Sequence, residues 1–210
     1  PTLSSAASDV YKRQAVEDSS FTTGRRGVAA TVVVEKIVGS LAEHGGSLQE
    51  CKALGDKVNK NSGSMGVAFS SCTVPAAGKP NFDIGDDEME FGVGIHGEPG
   101  RRRDKMKSAQ EITNELLEAI NEDLKPETNE EILLFVNGMG GTPLTELYLI
   151  YDNAKNMLDK KNIKISRSLV GNYCTSLEMQ GASITLTKLD EELLKHWDSS
   201  VHTAAMRWGV

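Results

Sequence analysis

The chain has 210 residues, of which 39% are hydrophobic and 25% charged, with a formal net charge of −7. That supports one substantial core, and the acidic balance argues against nucleic acid or an anionic membrane as partner. The longest apolar runs, such as Ile132 to Val136, are far too short for a bilayer, and no signal-peptide pattern is visible. Cys51, Cys72 and Cys174, with neither CxxC nor metal-ligand spacing, suit a reducing, cytoplasmic setting.

Residues 1–14 (PTLSSAASDVYKRQ) have weak periodicity and no partner segment. They read as a non-native or disordered leader and stand outside the fold. Residues 15–60 read as a helical segment. In TTGRRGVAATVVVEKIVGSLAEHG, the face Val28, Val32, Ile37 and Leu41 predicts a helix with Thr22 or Thr23 near its start. The β-branched run Val32 to Val34 argues for a strand, but its placement between GRRG and EKIVGSLAEHGG favours helix. Ser47 and Glu50 form a capping-box pattern that opens a second helix through Cys51, Leu54 and Val58. The polar, glycine-rich stretch Asn59 to Gly66 is expected to end it. Neither helix follows a strand, so the pair is expected to pack on a domain absent from the chain, and open apolar faces there would suit a dimer.

Residues 61–210 read as an α+β domain. Met65 to Cys72 and Met89 to Ile95 are strand candidates, separated by a loop with Pro75, Gly78 and Pro80 and a polar turn from Asp83 to Asp87. Ser108, with Glu111, opens a helix whose buried face is Ile112, Leu116, Leu117 and Ile120. Glu131 to Val136 is a strongly apolar strand, followed by the loop Asn137 to Thr142 and a helix from Pro143 to about Leu158. Ile163 to Val170 and Ala182 to Leu189 are strands, and Leu189 to Trp197 is a short helix. Adjacent strands permit antiparallel pairs, so a mixed β-sheet layered with helices is expected rather than a parallel doubly wound one.

The segment FGVGIHGEPGRRR concentrates the chemistry. His96 stands between Gly94 and Gly97, with Glu98 and Pro99 beyond. An imidazole can act as acid, base or nucleophile near neutral pH, and the glycines allow close backbone approach. Asp86, Asp87, Glu88, Glu90 and Glu98 are candidates to orient the ring; the bland reading is a loop histidine capping a turn. Arg101, Arg102 and Arg103 suit a phosphate, an acidic partner or a solvated turn, and Arg25 and Arg26 the same. His44 reads as a helix C-terminal residue, His196 lies on the terminal amphipathic helix, and His202 lies in the tail. A His96, His196 and aspartate metal site needs the fold to join them, and none is expected. NGMGGTP, between strand and helix, suits either an anion or, preferably, a tight connection of small residues; it is neither a Walker A motif nor GxGxxG. Cys72 reads as a buried thiol, since no base accompanies it.

TTGRRGVAATVVVEK, SSCTVPAAGKPNF, DDEMEFGVGIHGEPG, FVNGMGGTPLTELY and VGNYCTSLEMQGASITLTKLD resemble the dihydroxyacetone kinase family, specifically the C-terminal portion of its K subunit. The resemblance runs from about Ala15 to Gly209. It implies that His96 binds the ketone of dihydroxyacetone covalently as a hemiaminal, orienting a terminal hydroxyl for phosphorylation. It implies a nucleotide, ATP or ADP with Mg, on a separate L subunit or domain, none on this chain, and a homodimer. The main substrate pocket is expected in a preceding α/β domain that the chain lacks, leaving a fragment inactive alone. A non-catalytic ketose-sensing or regulatory module on the same fold is the alternative; a hydrolase using Cys72 or His96 fits the resemblance poorly.

Overall fold

The computed structural model describes residues 29–94 and 100–209. Helices α1 (Ala30–Glu43) and α2 (Leu48–Lys60) lead into strand β1 (Ser62–Ala68). Strands β2 (Glu88–Phe91) and β3 (Arg102–Lys105) follow, then helix α3 (Ala109–Leu124), strand β4 (Glu131–Gly138) and helix α4 (Leu144–Lys160). Strands β5 (Lys164–Gly171) and β6 (Gly181–Lys188), helix α5 (Glu191–Asp198) and a hairpin of β7 (Val201–His202) and β8 (Arg207–Trp208) complete the order.

Six strands form one sheet in the order β3-β2-β1-β6-β4-β5. Only β4 and β5 run parallel; the other neighbours are antiparallel. The fold is therefore α+β with a mixed sheet, as the element order implies. Alternation along the strands divides the core in two. Met65, Val67, Ile132, Leu134, Ile184 and Leu186 face α3 and α4. Leu133, Phe135 and Leu169 face α1, α2 and α5.

Both predicted capping boxes form: Ser47 with Glu50, and Ser108 with Glu111, each satisfying orphan N–H groups of a first turn. Val32 to Val34 are helical, because Val33 and Ile37 bury one stripe against the sheet. Of the face read for α1, Ile37 is buried and Val32 and Leu41 are half-buried, while Val28, with Thr22 and Thr23, lies outside the described residues; Leu54 and Val58 of α2 join the same core.

Several boundaries differ from the sequence reading. The strand expected from Met65 begins at Ser62, inside the stretch read as a polar loop. Its serines are fully buried because β6 brings threonines opposite them: the hydroxyls of Ser62 and Thr187 pair at 2.8 Å, and those of Ser64 and Thr185 also pair. β2 stops at Phe91 rather than Ile95, since Gly92 turns the backbone to φ +78. The arginine run enters a strand, β3, instead of forming a turn. Pro143 is the N-cap of α4 rather than its first helical residue.

The chain's tail is fixed by Lys36 of α1. Its ammonium donates to the carbonyls of Trp197 and, at 2.8 Å, Ser199, the orphan acceptors at the end of α5. It also lies 5.2 Å from the Trp197 ring centre and 5.6 Å from that of Trp208, whose rings meet edge to face. Burial holds the Lys36 pKa below its ordinary value, opposed by Asp198. Beside it, Ser40 donates to Ser199 at 2.8 Å and meets His196 Nδ1 at 3.0 Å. With its one proton given to Ser199, Ser40 accepts from a protonated Nδ1.

Lys36→Ala strands the buried Trp197 carbonyl and the half-buried Ser199 carbonyl and should cost about 1–3 kcal/mol, read as a lower Tm; an unchanged Tm would remove the clamp from the account. His196 is buried, which lowers its pKa from 6.5, with Lys195 and His44 acting the same way and Glu192 opposing. Below the ordinary value the unfolded ring takes up a proton that the folded ring resists. Stability should therefore fall as pH drops through about 6.5 toward the lowered folded value. Thermal melts from about pH 7.5 to about 5.5 should show that slope flattened in His196→Gln; an identical slope would contradict it.

Candidate functional site

His96 and Glu98 lie outside the described residues, as do Arg25 and Arg26. The structure does describe both ends of the segment that carries His96. Gly92 N–H donates to the Gly66 carbonyl at 2.7 Å, tying the outgoing chain to the middle of β1. Val93 then crosses over Gly66, 1% exposed. A Cβ on Gly66 would lie 2.9 Å from the Val93 carbonyl oxygen and 2.8 Å from Met139 Cε, so only glycine admits this crossing. On the return side, Arg101 N–H donates to the Phe91 carbonyl at 2.6 Å. A side chain on Gly100 would strike that same carbonyl.

Glu90 closes the base. It is 6% exposed, accepts the Gly100 N–H at 3.0 Å and takes Arg103 Nε at 2.9 Å. Of the acidic residues the sequence nominates to orient the ring, Glu90 is thus committed to the backbone and to Arg103. Asp87 pairs with Lys105 at 2.6 Å, a bond that lowers its pKa. Glu88 accepts the Gly85 N–H at 3.0 Å and lies 3.7 Å from Arg103. Asp86 is exposed.

The arginine run is less available than its sequence suggests. Arg102 pairs with Asp104 at 2.9 Å and with Glu115, and its guanidinium sits 4.7 Å from the Phe91 ring centre. Arg103 is held by Glu90 and Glu88. Arg101 and Arg102 line, with Phe91, Glu115, Glu118 and Glu122, a cleft of about 370 Å³ beside α3.

The remaining candidates are structural. Carbonyls of Leu177, Glu178 and Met179 crowd Gly140 and Gly141, and the Thr142 hydroxyl exchanges hydrogen bonds with Gly181 at 2.7 and 2.8 Å. Asn137 accepts from the N–H groups of Tyr173 and Cys174 and donates to the Cys174 carbonyl. NGMGGTP is thus a tight connection filled with acceptor oxygens, which does not fit a nucleotide phosphate. Cys72 is buried; its sulfur meets the Ser176 hydroxyl at 3.4 Å and the Asn81 amide at 3.5 Å, neither of them a base. Burial pushes the Cys174 thiol up to about 11, with Glu35 adding to it, which keeps it protonated at neutral pH. His44 ends α1, and its Nδ1 lies 2.7 Å from the Ser40 carbonyl. His196 faces Ser40, and His202 is exposed in β7. Among the described residues no group of three His, Cys, Asp or Glu side chains could hold a metal ion. Nor is any described helix long and apolar enough to cross a membrane.

The mixed sheet to which both described ends of the histidine segment are tied belongs to a known class of domain. A Dak1 domain model matches residues 8–205, and the chain belongs to that family. It is 43% identical over 219 residues to the dihydroxyacetone-binding subunit DhaK of the PEP-dependent dihydroxyacetone kinase of Escherichia coli strain K12, matching 93% of this chain and 62% of that protein. It is 49% identical over 178 residues to the corresponding subunit of PTS-dependent dihydroxyacetone kinase 1 of Listeria innocua, matching 85% of this chain and 54% of that protein. The chain therefore spans less than two thirds of the length of these relatives. Among solved structures it resembles the dihydroxyacetone kinase operon co-activator DhaQ, with a TM-score of 0.79 and 31% identity over 92% of this chain and 58% of that one. It also resembles the dihydroxyacetone kinase of C. freundii in complex with AMP-PNP and Mg2+, with a TM-score of 0.75 and 26% identity over 93% of this chain and 36% of that one.

Sequence reasoning missed Gly66 and the closing role of Gly100, and it nominated Glu90 to orient the ring rather than to hold the backbone. Glu90 carries a weak signal, an acidic side chain buried in a strand next to the histidine segment; Gly66 carries none until strand pairing is known. Gly66→Ala should cost about 1–3 kcal/mol, because the obstructing Val93 oxygen is backbone and cannot swing aside. Urea titration reads this as a lower midpoint, and a wild-type midpoint would show that the segment does not rest on β1.

Proposed function

We propose that the chain is the ketose-anchoring part of a dihydroxyacetone kinase, with His96 as the covalent anchor. The observation that carries this reading is the pinned segment base at Gly66, Glu90 and Gly100, within a chain 43–49% identical to dihydroxyacetone-binding subunits. An imidazole nitrogen of His96 adds to the C2 carbonyl carbon. The C–N bond forms as the C=O π bond opens, the ketone oxygen takes up a proton, and the ring gives up its N–H proton. Nothing leaves, so the product is a neutral hemiaminal. A polyol such as glycerol offers no carbonyl and is excluded by chemistry rather than by size. Anchoring at C2 holds a terminal hydroxyl toward the phosphoryl donor, a gain from orientation.

The donor is a Mg-bound nucleotide on a separate L subunit or domain, recharged or exchanged there. The glycine loop of this chain that opens onto a helix is filled by carbonyl oxygens, which supports placing the nucleotide elsewhere. Phosphorylation belongs to the whole assembly, and ketose anchoring to this part. The likeness to the DhaQ co-activator supports a second reading, a ketose-sensing module without turnover, but identity to the binding subunits is higher.

Native mass spectrometry of the chain with dihydroxyacetone tests the anchor. The wild-type chain should gain the full mass of one ketose with no water lost, and His96→Asn should gain none. A wild-type chain without the adduct, or an adduct surviving in His96→Asn, would contradict the assignment. Phosphate transfer on adding a nucleotide-loaded L partner would favour the kinase part over the sensor.

A further inference from the structure

Ser183 of β6 stands in register between Gly66 of β1 and Asn137 of β4. It is fully buried, and its hydroxyl has no hydrogen-bond partner. Its neighbours on the same sheet face are satisfied. Ser64 pairs with Thr185, Ser62 pairs with Thr187, and the Asn137 amide binds the backbone of Tyr173 and Cys174. Such an orphan is rare in a packed interior and usually marks a missing water or a functional demand.

A complementary orphan lies beside it. Val93 is 1% exposed, and no hydrogen bond among the described residues reaches its carbonyl oxygen. The point where a Cβ of Gly66 would stand is 2.9 Å from that oxygen and 3.5 Å from Ser183 Cβ. Among the described residues, a buried donor without an acceptor and a buried acceptor without a donor therefore flank the same glycine. Neither is a member of the Glu90 and Gly100 base on the return side of the segment.

We propose that Ser183 is a positioning residue, whose hydroxyl holds the Val93 carbonyl through one buried water. A bridging water needs polar partners on both sides, and this pair supplies a donor and an acceptor. The outgoing chain is then fixed at two successive residues: Gly92 by its N–H on Gly66, and Val93 by its carbonyl on Ser183. Ser183 acts on the backbone that leads to His96 and does not itself touch the ketose. Its effect on ketose binding rests on the function proposed above; its effect on the backbone does not.

Hydrogen–deuterium exchange of the full chain tests the pin. In Ser183→Ala, peptides covering residues 92–94 should exchange about tenfold faster than wild type, the scale of one lost hydrogen bond, with β4 and β5 unchanged. Ser183→Thr keeps the hydroxyl and should exchange like wild type. If Ser183→Ala does not fold, Ser183→Cys fills similar space with a weak donor and carries the same comparison. Wild-type exchange in Ser183→Ala, or equally fast exchange in Ser183→Thr, would overturn the inference. In native mass spectra, Ser183→Ala should show about fivefold less ketose adduct than wild type at equal protein. A wild-type chain with no adduct at all would instead count against the proposed function, leaving the exchange comparison to decide on Ser183.

Discussion

The histidine segment leaves the sheet through a backbone-on-backbone crossing at Gly66. The Val93 carbonyl lies where any side chain at residue 66 would have to stand, and the Gly92 N–H is tied to the Gly66 carbonyl. Strand pairing sets the place of this crossing. β2 pairs with β1 only at Val67 and Ala68, so the chain leaves the sheet at Gly92, one residue after the ladder ends. Both faces of the sheet are packed, and the described ends of the histidine segment are tied to it at Gly92, Gly100 and Arg101. A reactive group on a loop gains accuracy in this way, from a scaffold that cannot shift.

Electrostatics at the return side serve the same end. The Glu90 carboxylate is buried, which would be costly for a lone charge; it is satisfied by the Gly100 N–H and the Arg103 guanidinium. Arg102 is similarly spent on Asp104 and Glu115 and stacks over Phe91. The arginine run thus builds the strand that closes the segment. An edge strand made of Arg102, Arg103, Asp104 and Lys105 also discourages pairing with another sheet.

Much of this was legible in the sequence where local rules dominate. The capping boxes at Ser47 and Ser108, the apolar strand at Glu131, and the helical reading of Val32 to Val34 depend on residues near one another. The misread places depend on partners far away in sequence. Ser62 to Ser64 look like a polar loop until Thr185 and Thr187 are placed opposite. The arginines look free until Glu90 and Glu115 meet them. At the site, composition pointed to the histidine segment, but Gly66 joins it only through strand register.

The central claim is that this pinned segment presents His96 to the carbonyl of a three-carbon ketose. A crystal structure of the chain grown with dihydroxyacetone tests it most directly. The account predicts continuous density between the His96 ring and a tetrahedral C2, with the Gly92–Gly66 hydrogen bond intact. Density for an intact ketone apart from the ring, or for the ketose bound elsewhere on the sheet, would contradict it.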